Sequence, residues 1–283
     1  MEGFKGIVAL DIDGTITKSR HDLHKDVSNF LNHLITEGWC VMFITGRTLA
    51  FARPIFSQIE GCFYCGVQNG AALYEMPEEK QLFRHYLSQE MIPELEQFFH
   101  AINRPLLFEA GHERGDICYY RPTDFSENDM HYIRFREEIS LTKWVARKSF
   151  YDLDLPEFAV AKYFAEKTQA LWIANELERE FSLNVIVIND AFKPGSYLAH
   201  VNHKDASKGN ILQEFRHTLG HELRVISAGD DYNDLTMLME SDVKIVMENA
   251  PCSLLAVADI VAPGVDRQGI VTALKEAIYE RNA

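Results

Sequence analysis

A short apolar run that stops abruptly at two carboxylates limits what this chain can fold into. Gly6-Ile-Val-Ala-Leu10 contains no polar side chain, and Asp11-Ile-Asp-Gly-Thr15 follows it at once. A strand that is apolar on both faces is buried on both, which is the position of a central strand in a parallel sheet covered by helices. In such sheets the loops after the strands are where ligands bind. Gly14 permits a turn through which Asp11 and Asp13 can aim at one point. A turn that is merely rich in Asp has the same local signature. A calcium loop would need Gly at its sixth position and a bidentate acid at its twelfth, where this chain has Ile16 and Asp22.

The same alternation continues downstream. Val27, Phe30, Leu31, Leu34 and Ile35 recur at helical spacing before Gly38, and Cys40 to Ile44 is again a buried run. Strand, helix, strand predicts a right-handed parallel crossover. The C-terminal third repeats the pattern: helix over Ser207 to Phe215, strand over Leu223 to Ala228, helix over Asp234 to Met239, strand over Val243 to Met247, and a last helix from about Thr272 to Tyr279. From about Phe83 to Asp190 longer helices mix with alternating stretches such as Asp116-Ile-Cys-Tyr-Tyr-Arg121 and Phe158-Ala-Val-Ala-Lys-Tyr163. The prediction is an α/β fold. A Rossmann-like doubly wound parallel sheet core, residues 1–82 and 191–283, is interrupted by an inserted α+β domain at 83–190. A length of 283 residues favours two lobes, and 47% hydrophobic with 25% charged residues is the balance of an ordered globular chain.

The formal net charge of −14 repels nucleic acid and anionic membrane surfaces, so an anionic ligand must be captured by local positive charge. No apolar run approaches the roughly 20 residues a spanning helix needs, and Met1 to Leu10 has no secretory pattern. Five cysteines, Cys40, Cys62, Cys65, Cys118 and Cys252, are too sparse for a disulfide scaffold and suit a reducing cytoplasm. Cys62 and Cys65 have redox or zinc spacing, but Gly61-Cys-Phe-Tyr-Cys-Gly66 reads as a short buried strand with structural thiols.

Three further segments carry chemistry. In Phe43-Ile-Thr-Gly-Arg47, at the end of the second strand, the Thr45 hydroxyl and the amides after it can grip phosphate oxygens, although Thr-Gly is common in turns. Arg47 is explained equally well as an exposed helix arginine. Ser207-Lys208-Gly209 opens a helix that Ser207 can cap, with Lys208 placed where the helix dipole is also positive. Ser227-Ala-Gly-Asp-Asp-Tyr-Asn-Asp234 follows a buried strand, with Asp230 and Asp234 one helical turn apart. Carboxylates clustered without local positive charge repel one another, which makes a hard cation such as magnesium their natural partner.

In their order and positions these segments resemble the haloacid dehalogenase superfamily. Asp11-Ile-Asp-Gly-Thr15, Thr45, Lys208 and Gly229-Asp-Asp-Tyr-Asn-Asp234 match its four motifs. The insert between Thr45 and Lys208 resembles the larger α/β cap of the Cof-type sugar-phosphate phosphatases, with Asn69-Gly-Ala71, Asn249-Ala250 and Ala258-Asp259 in support. Members of that family usually carry Gly before the Asn-Ala pair, where this chain has Glu248. The resemblance implies a cytoplasmic, Mg2+-dependent phosphatase acting on small phosphate monoesters. In it Asp11 is the nucleophile that forms an aspartyl-phosphate, and Asp13 is the acid and then the base. Magnesium is held by Asp11, the backbone carbonyl of Asp13, Asp230 and, through water, Asp234. Thr45, Gly46, Lys208 and Asn233 bind the phosphoryl group, and Lys208 keeps Asp11 ionised by lowering its pKa.

The implied partner is a small phosphorylated metabolite, a sugar phosphate or a compound such as phosphoglycolate, with a nucleotide or cofactor phosphate as the lesser alternative; no nucleic acid and no membrane is expected, and the oligomeric state is not indicated. Within the insert, His112, Arg114, Arg121 and Lys143 are read as solvated surface. Two alternatives share the motifs: a phosphotransferase of the phosphomannomutase type, and a catalytically idle sugar-phosphate-binding protein. Intact Asp11, Asp13, Lys208 and Asp230 weigh against the second, because binding alone needs no nucleophile.

Overall fold

The computed structural model describes residues 3–190, 192–220 and 222–280. Of these, the residues within Met1–Arg47, Ala52–Arg84 and Ser207–Ala283 form one compact unit, and those within Thr48–Phe51 and His85–Ala206 form another.

The chain begins with β1 (Ile7–Leu10), α1 (Lys25–Thr36), β2 (Cys40–Ile44), α2 (Leu49–Phe56), β3 (Phe63–Val67), β4 (Ala72–Met76) and β5 (Lys80–Arg84), all in the first unit except the opening residues of α2, Leu49 to Phe51. In α1 the spacing of Val27, Phe30, Leu31 and Leu34 puts them all on the buried side. His24 caps that helix by accepting the Asp26 backbone N–H, and Gly38 supplies the left-handed residue beyond its end.

The second unit contains β6 (Leu87–Ser88), α3 (Met91–Ala101), β7 (Leu107–Glu109), β8 (Cys118–Tyr120), α4 (Glu127–Ser140), β9 (Trp144–Ala146), β10 (Glu157–Phe158), β11 (Val160–Ala165), α5 (Lys167–Phe181), β12 (Asn184–Asn189) and β13 (Tyr197–Asn202). Its main sheet runs β12-β13-β11-β7-β8-β9, antiparallel except for the parallel β8 and β9 pair. Strand alternation sends Phe108, Ala161, Tyr163 and Ala199 to one face, where Leu95 and Phe99 of α3 and Ile173 and Leu177 of α5 cover them. On the other face Ile133 of α4 joins Leu107, Cys118 and Trp144. Arg121, expected as solvated surface, is instead bonded to the buried Glu96 and to Asp124.

The chain then completes the first unit with α6 (Lys208–Leu219), β14 (Val225–Gly229), α7 (Leu235–Met239), β15 (Val243–Met247), α8 (Cys252–Leu255), β16 (Ile260–Ala262) and α9 (Gly269–Lys275). Its sheet has the order β16-β15-β14-β1-β2-β3-β4-β5, parallel from β16 to β3 and antiparallel beyond. One face packs Ile7, Ala9, Met42 and Tyr64 against Ile211, Leu212 and Phe215 of α6. On the other, Phe43 meets Phe56 of α2 with ring centroids 5.4 Å apart. Helices on both faces of a parallel-rich sheet make the α/β fold that the strand and helix alternation predicts.

The division between units falls at 84/85 and 206/207, whereas the sequence suggested 82/83 and 190/191. The later second limit has a simple cause: β13 pairs along its whole length with β12 and β11, so its strand cannot belong to the other sheet. Cys62 also departs from expectation. It is exposed, because Gly61 turns the chain at φ 84° and β3 starts only at Phe63, while Cys65 is buried; all five cysteines are free thiols. Among the described residues no helix is long and apolar enough to cross a membrane.

Candidate active site

Strand order explains why distant segments meet. β1 lies between β2 and β14, with Leu10 in register with both Phe43 and Ala228. The loops that follow these parallel strands therefore leave the sheet at the same edge. They begin at Asp11, Thr45 and Asp230, and the start of α6 brings Lys208 to them.

Lys208 is the centre of the arrangement. Its side chain is fully buried, and its Nζ donates to Asp11 Oδ1 at 2.5 Å and to Asp234 Oδ1 at 2.6 Å. An ammonium in the first turn of a helix opposes the helix dipole, so these two carboxylates are what hold it there. Ser207 caps α6 as expected, accepting the Asn210 N–H at 3.1 Å. The other oxygen of Asp234 accepts the backbone N–H groups of Asp230 at 2.9 Å and Asp231 at 3.1 Å. Asp230 and Asp234 are thus joined through a loop and the 3₁₀ turn Tyr232–Asp234, not across one face of a helix; α7 starts only at Leu235.

Asp11, Asp230 and Asp234 offer carboxylate oxygens within 4.8 Å of one another. Burial pushes the Asp11 carboxyl up to about 7; the Lys208 ammonium pulls it down, while the charges of Asp234 and Asp13 add to the rise. Burial, followed by the charges of Asp11 and Asp234, pushes Asp230 up to about 9. Burial works against the charge of Lys208 too, but Asp11 and Asp234 outweigh it and hold its pKa above the ordinary lysine value. Lys208 therefore acts on Asp11 in the expected sense without being sufficient, since desolvation is the larger effect. When all three carboxylates are ionised, the cluster with the Lys208 ammonium carries two surplus negative charges. That charge and an all-oxygen donor set fit a hard divalent cation.

Thr45 is completely buried; its hydroxyl accepts the Arg47 N–H at 3.1 Å, and its carbonyl accepts the Asn69 N–H at 2.8 Å. Asn69 in turn accepts the Asn233 side-chain amide at 3.1 Å, and a Cβ on Gly46 would lie 3.3 Å from Asn69 Oδ1. Thr45, Gly46 and Asn233 are thereby drawn together through Asn69, a link not anticipated from its sequence motif. Gln68, Asn69 and Gly70 are all left-handed, with φ of 50°, 61° and 93°. Glycine is required at the last of them, because a Cβ there would come within 2.3 Å of the Ser207 carbonyl oxygen.

Asp13 is the expected site residue that stands apart. Its carboxylate is not in the three-acid group but is gripped by Arg47, Nε to Oδ2 at 2.8 Å and Nη2 to Oδ1 at 2.7 Å. Arg47 is no exposed helix arginine. Its side chain is 3% exposed, it precedes α2, and it also donates to the carbonyls of Ser19 and Arg20. Glu248, which departs from the Gly that the family resemblance led one to expect, accepts the Gly264 N–H at 2.8 Å and pairs with Arg267.

Comparison with known proteins gives the family of the chain. Residues 8–274 match the family described as haloacid dehalogenase-like hydrolase. The chain belongs to that family, and its enzyme class is hydrolytic. It is similar to the putative phosphatase YxeH of Bacillus subtilis (strain 168), 22% identical, with 97% of this chain and 99% of that one covered. Among solved structures it resembles a haloacid dehalogenase-like hydrolase from Bacteroides thetaiotaomicron, with a TM-score of 0.77, 19% identity and coverage of 96% and 99%. It also resembles BT4131, described as a subclass IIB sugar phosphatase of this superfamily, with a TM-score of 0.73, 19% identity and coverage of 96% and 98%.

Proposed function

We propose that this protein is a Mg2+-dependent phosphatase that hydrolyses small phosphate monoesters, sugar phosphates foremost, through an aspartyl-phosphate on Asp11. The observation that carries this reading is the cluster of Asp11, Asp230 and Asp234, two of whose members, Asp11 and Asp234, also hold the Lys208 ammonium. The membership of the family and the phosphatase names of relatives, BT4131 among them, support the choice of substrate class.

In this reading an oxygen of Asp11 attacks phosphorus while the bond from phosphorus to the ester oxygen breaks, and Asp13 gives its proton to the departing alkoxide. Asp13 then takes a proton from water. The resulting hydroxide attacks the phosphorus of the acyl phosphate, releasing inorganic phosphate and restoring the Asp11 carboxylate. Lys208, the Thr45 hydroxyl, the Gly46 amide and Asn233 bind the phosphoryl oxygens, and Arg47 orients Asp13 between its two roles. Asp11, Asp230, Asp234 and the carbonyl of Asp13 would hold the Mg2+. When bound, that ion offsets the repulsion between nucleophile and phosphate.

The test is phosphate release from a panel of sugar, nucleotide and cofactor phosphates, with and without Mg2+ and without any bisphosphate activator, by the parent chain and by Asp11→Asn. An amide of the same shape cannot form the acyl phosphate, so Asp11→Asn should be inactive while still unfolding in a single cooperative transition. Turnover retained by Asp11→Asn would refute the nucleophile, and phosphate transfer without net release would favour a phosphotransferase.

A further inference from the structure

The second unit brings two histidines and an aspartate together at the two ends of its main segment. His85 opens that segment, and His203 and Asp205 lie just before its last residue, Ala206. Each offers one ligand atom, and these atoms lie within 4.8 Å of one another. The two imidazole rings stack with centroids 6.1 Å apart and planes 17° from parallel. Asp205 Oδ2 is 3.7 Å from His203 Nδ1, and the Asp205 backbone N–H donates to that nitrogen at 3.2 Å. All three side chains are partly exposed, so an ion has access to them.

We propose that His85, His203 and Asp205 form a binding site for a divalent transition-metal ion of the zinc or cobalt kind, which ties together the points where the chain enters and leaves the second unit. Two imidazole nitrogens and one carboxylate are a donor set chosen by zinc, cobalt and nickel, not by magnesium or calcium, which take oxygen. Three protein ligands leave a fourth position for water in a tetrahedral site. With metal–ligand bonds of about 2.0–2.2 Å the donors must draw in by roughly 1–1.5 Å, a change that side-chain rotation of partly exposed residues can supply. The Lys204 ammonium, 2.9 Å from an Asp205 oxygen, competes for the carboxylate; its side chain is 61% exposed and can turn into solvent as a metal binds.

The position gives the site a physical consequence. A metal that joins His85 to His203 and Asp205 closes nearly the whole segment into one loop, and constraints that close long loops remove the most freedom from the unfolded chain. The site makes no use of the catalytic assignment above and stands or falls separately from it.

The experiment is a titration of the full-length, chelator-stripped chain with Co2+ in an excess of Mg2+, followed by visible absorption and thermal unfolding. One equivalent of Co2+ should give the ligand-field bands of a nitrogen–oxygen site, be displaced by Zn2+, and raise the unfolding midpoint by roughly 5–10 °C. The same signal should persist in Asp230→Asn, which disables the oxygen-donor cluster. His85→Gln and His203→Gln should each weaken binding by more than about 100-fold, since even outer partners of metal ligands are worth 10–100-fold. In the unmodified chain, the imidazole NMR resonances of His85 and His203 should move with Zn2+ while the other histidines stay. Absence of a Co2+ signal under Mg2+, loss of it in Asp230→Asn, or unmoved His85 and His203 resonances would overturn the site.

Discussion

Arg47 and Asp13 meet through two parallel hydrogen bonds, a fork on a carboxylate, although 34 positions separate them in the chain. The geometry is one that only a planar guanidinium supplies. Because the same guanidinium donates to the carbonyls of Ser19 and Arg20, the loop after Asp13 is held along with its side chain. Arg47→Lys keeps the charge and loses the fork. We expect kcat to fall by roughly 10- to 100-fold with KM little changed, part of the 10²–10⁴ that acid–base catalysis contributes. A fall confined to KM in steady-state assays would make Arg47 a substrate contact instead.

Lys208 makes a different kind of prediction, because it is buried with its partners. Removing one member of a buried ion pair leaves an uncompensated charge and costs about 3–5 kcal/mol. Lys208→Met should therefore lower stability in urea by about that amount, measured with metal chelated, as well as abolish turnover. Combining it with Asp11→Asn should cost less than the sum of the two single changes, since the double variant no longer buries an unpaired Asp11 carboxylate. Strict additivity in the urea cycle would mean that the 2.5 Å contact carries no coupling.

How far the sequence exposes this site depends on how local each signal is. Asp11, Thr45 and Asp230 follow buried strands directly, so their place at one sheet edge was legible from apolar runs alone. Lys208 was legible only through the motif order, since a lysine after a helix cap is ordinarily solvated. The grip of Arg47 on Asp13 was not, because nothing within Thr45-Gly-Arg47 records which distant carboxylate the guanidinium will meet. Asn69 was hidden for the same reason: its hydrogen bond to Asn233 spans 164 positions. The second limit between units was misplaced because Tyr197-Leu-Ala-His-Val-Asn202 has the alternation of a strand but says nothing of which sheet it joins.

Gly14 tests the carboxylate cluster without changing any of its acids. Its φ of 88° is unfavourable for residues with a side chain, and a Cβ there would lie 2.1 Å from Asp230 Oδ2. Gly14→Ala should cost roughly 1–2 kcal/mol of backbone strain and displace Asp230. The half-saturating Mg2+ concentration should rise by about tenfold or more, read from phosphate release against metal concentration. A normal metal requirement in a stably folded Gly14→Ala would separate Asp230 from metal binding.

His200 gives the second unit a pH dependence of its own. It lies on β13 opposite Lys162 of β11, and burial, reinforced by the charges of Lys162 and Arg136, holds its pKa well below 6.5. Glu109 of β7 is paired with Lys162 at 2.6 Å. With the folded value depressed, native and unfolded chains both carry neutral His200 above about pH 6.5, and its full stability is present there. As pH falls below that value the unfolded chain takes up a proton that the native one refuses. Stability then drops by up to about 1.4 kcal/mol per pH unit from this group. Between about pH 7 and pH 5.5 the urea midpoint of the parent should fall more steeply than that of His200→Gln, whose amide does not titrate. Superimposable pH profiles for the two chains would assign the acid sensitivity to other groups and leave His200 a simple packing residue.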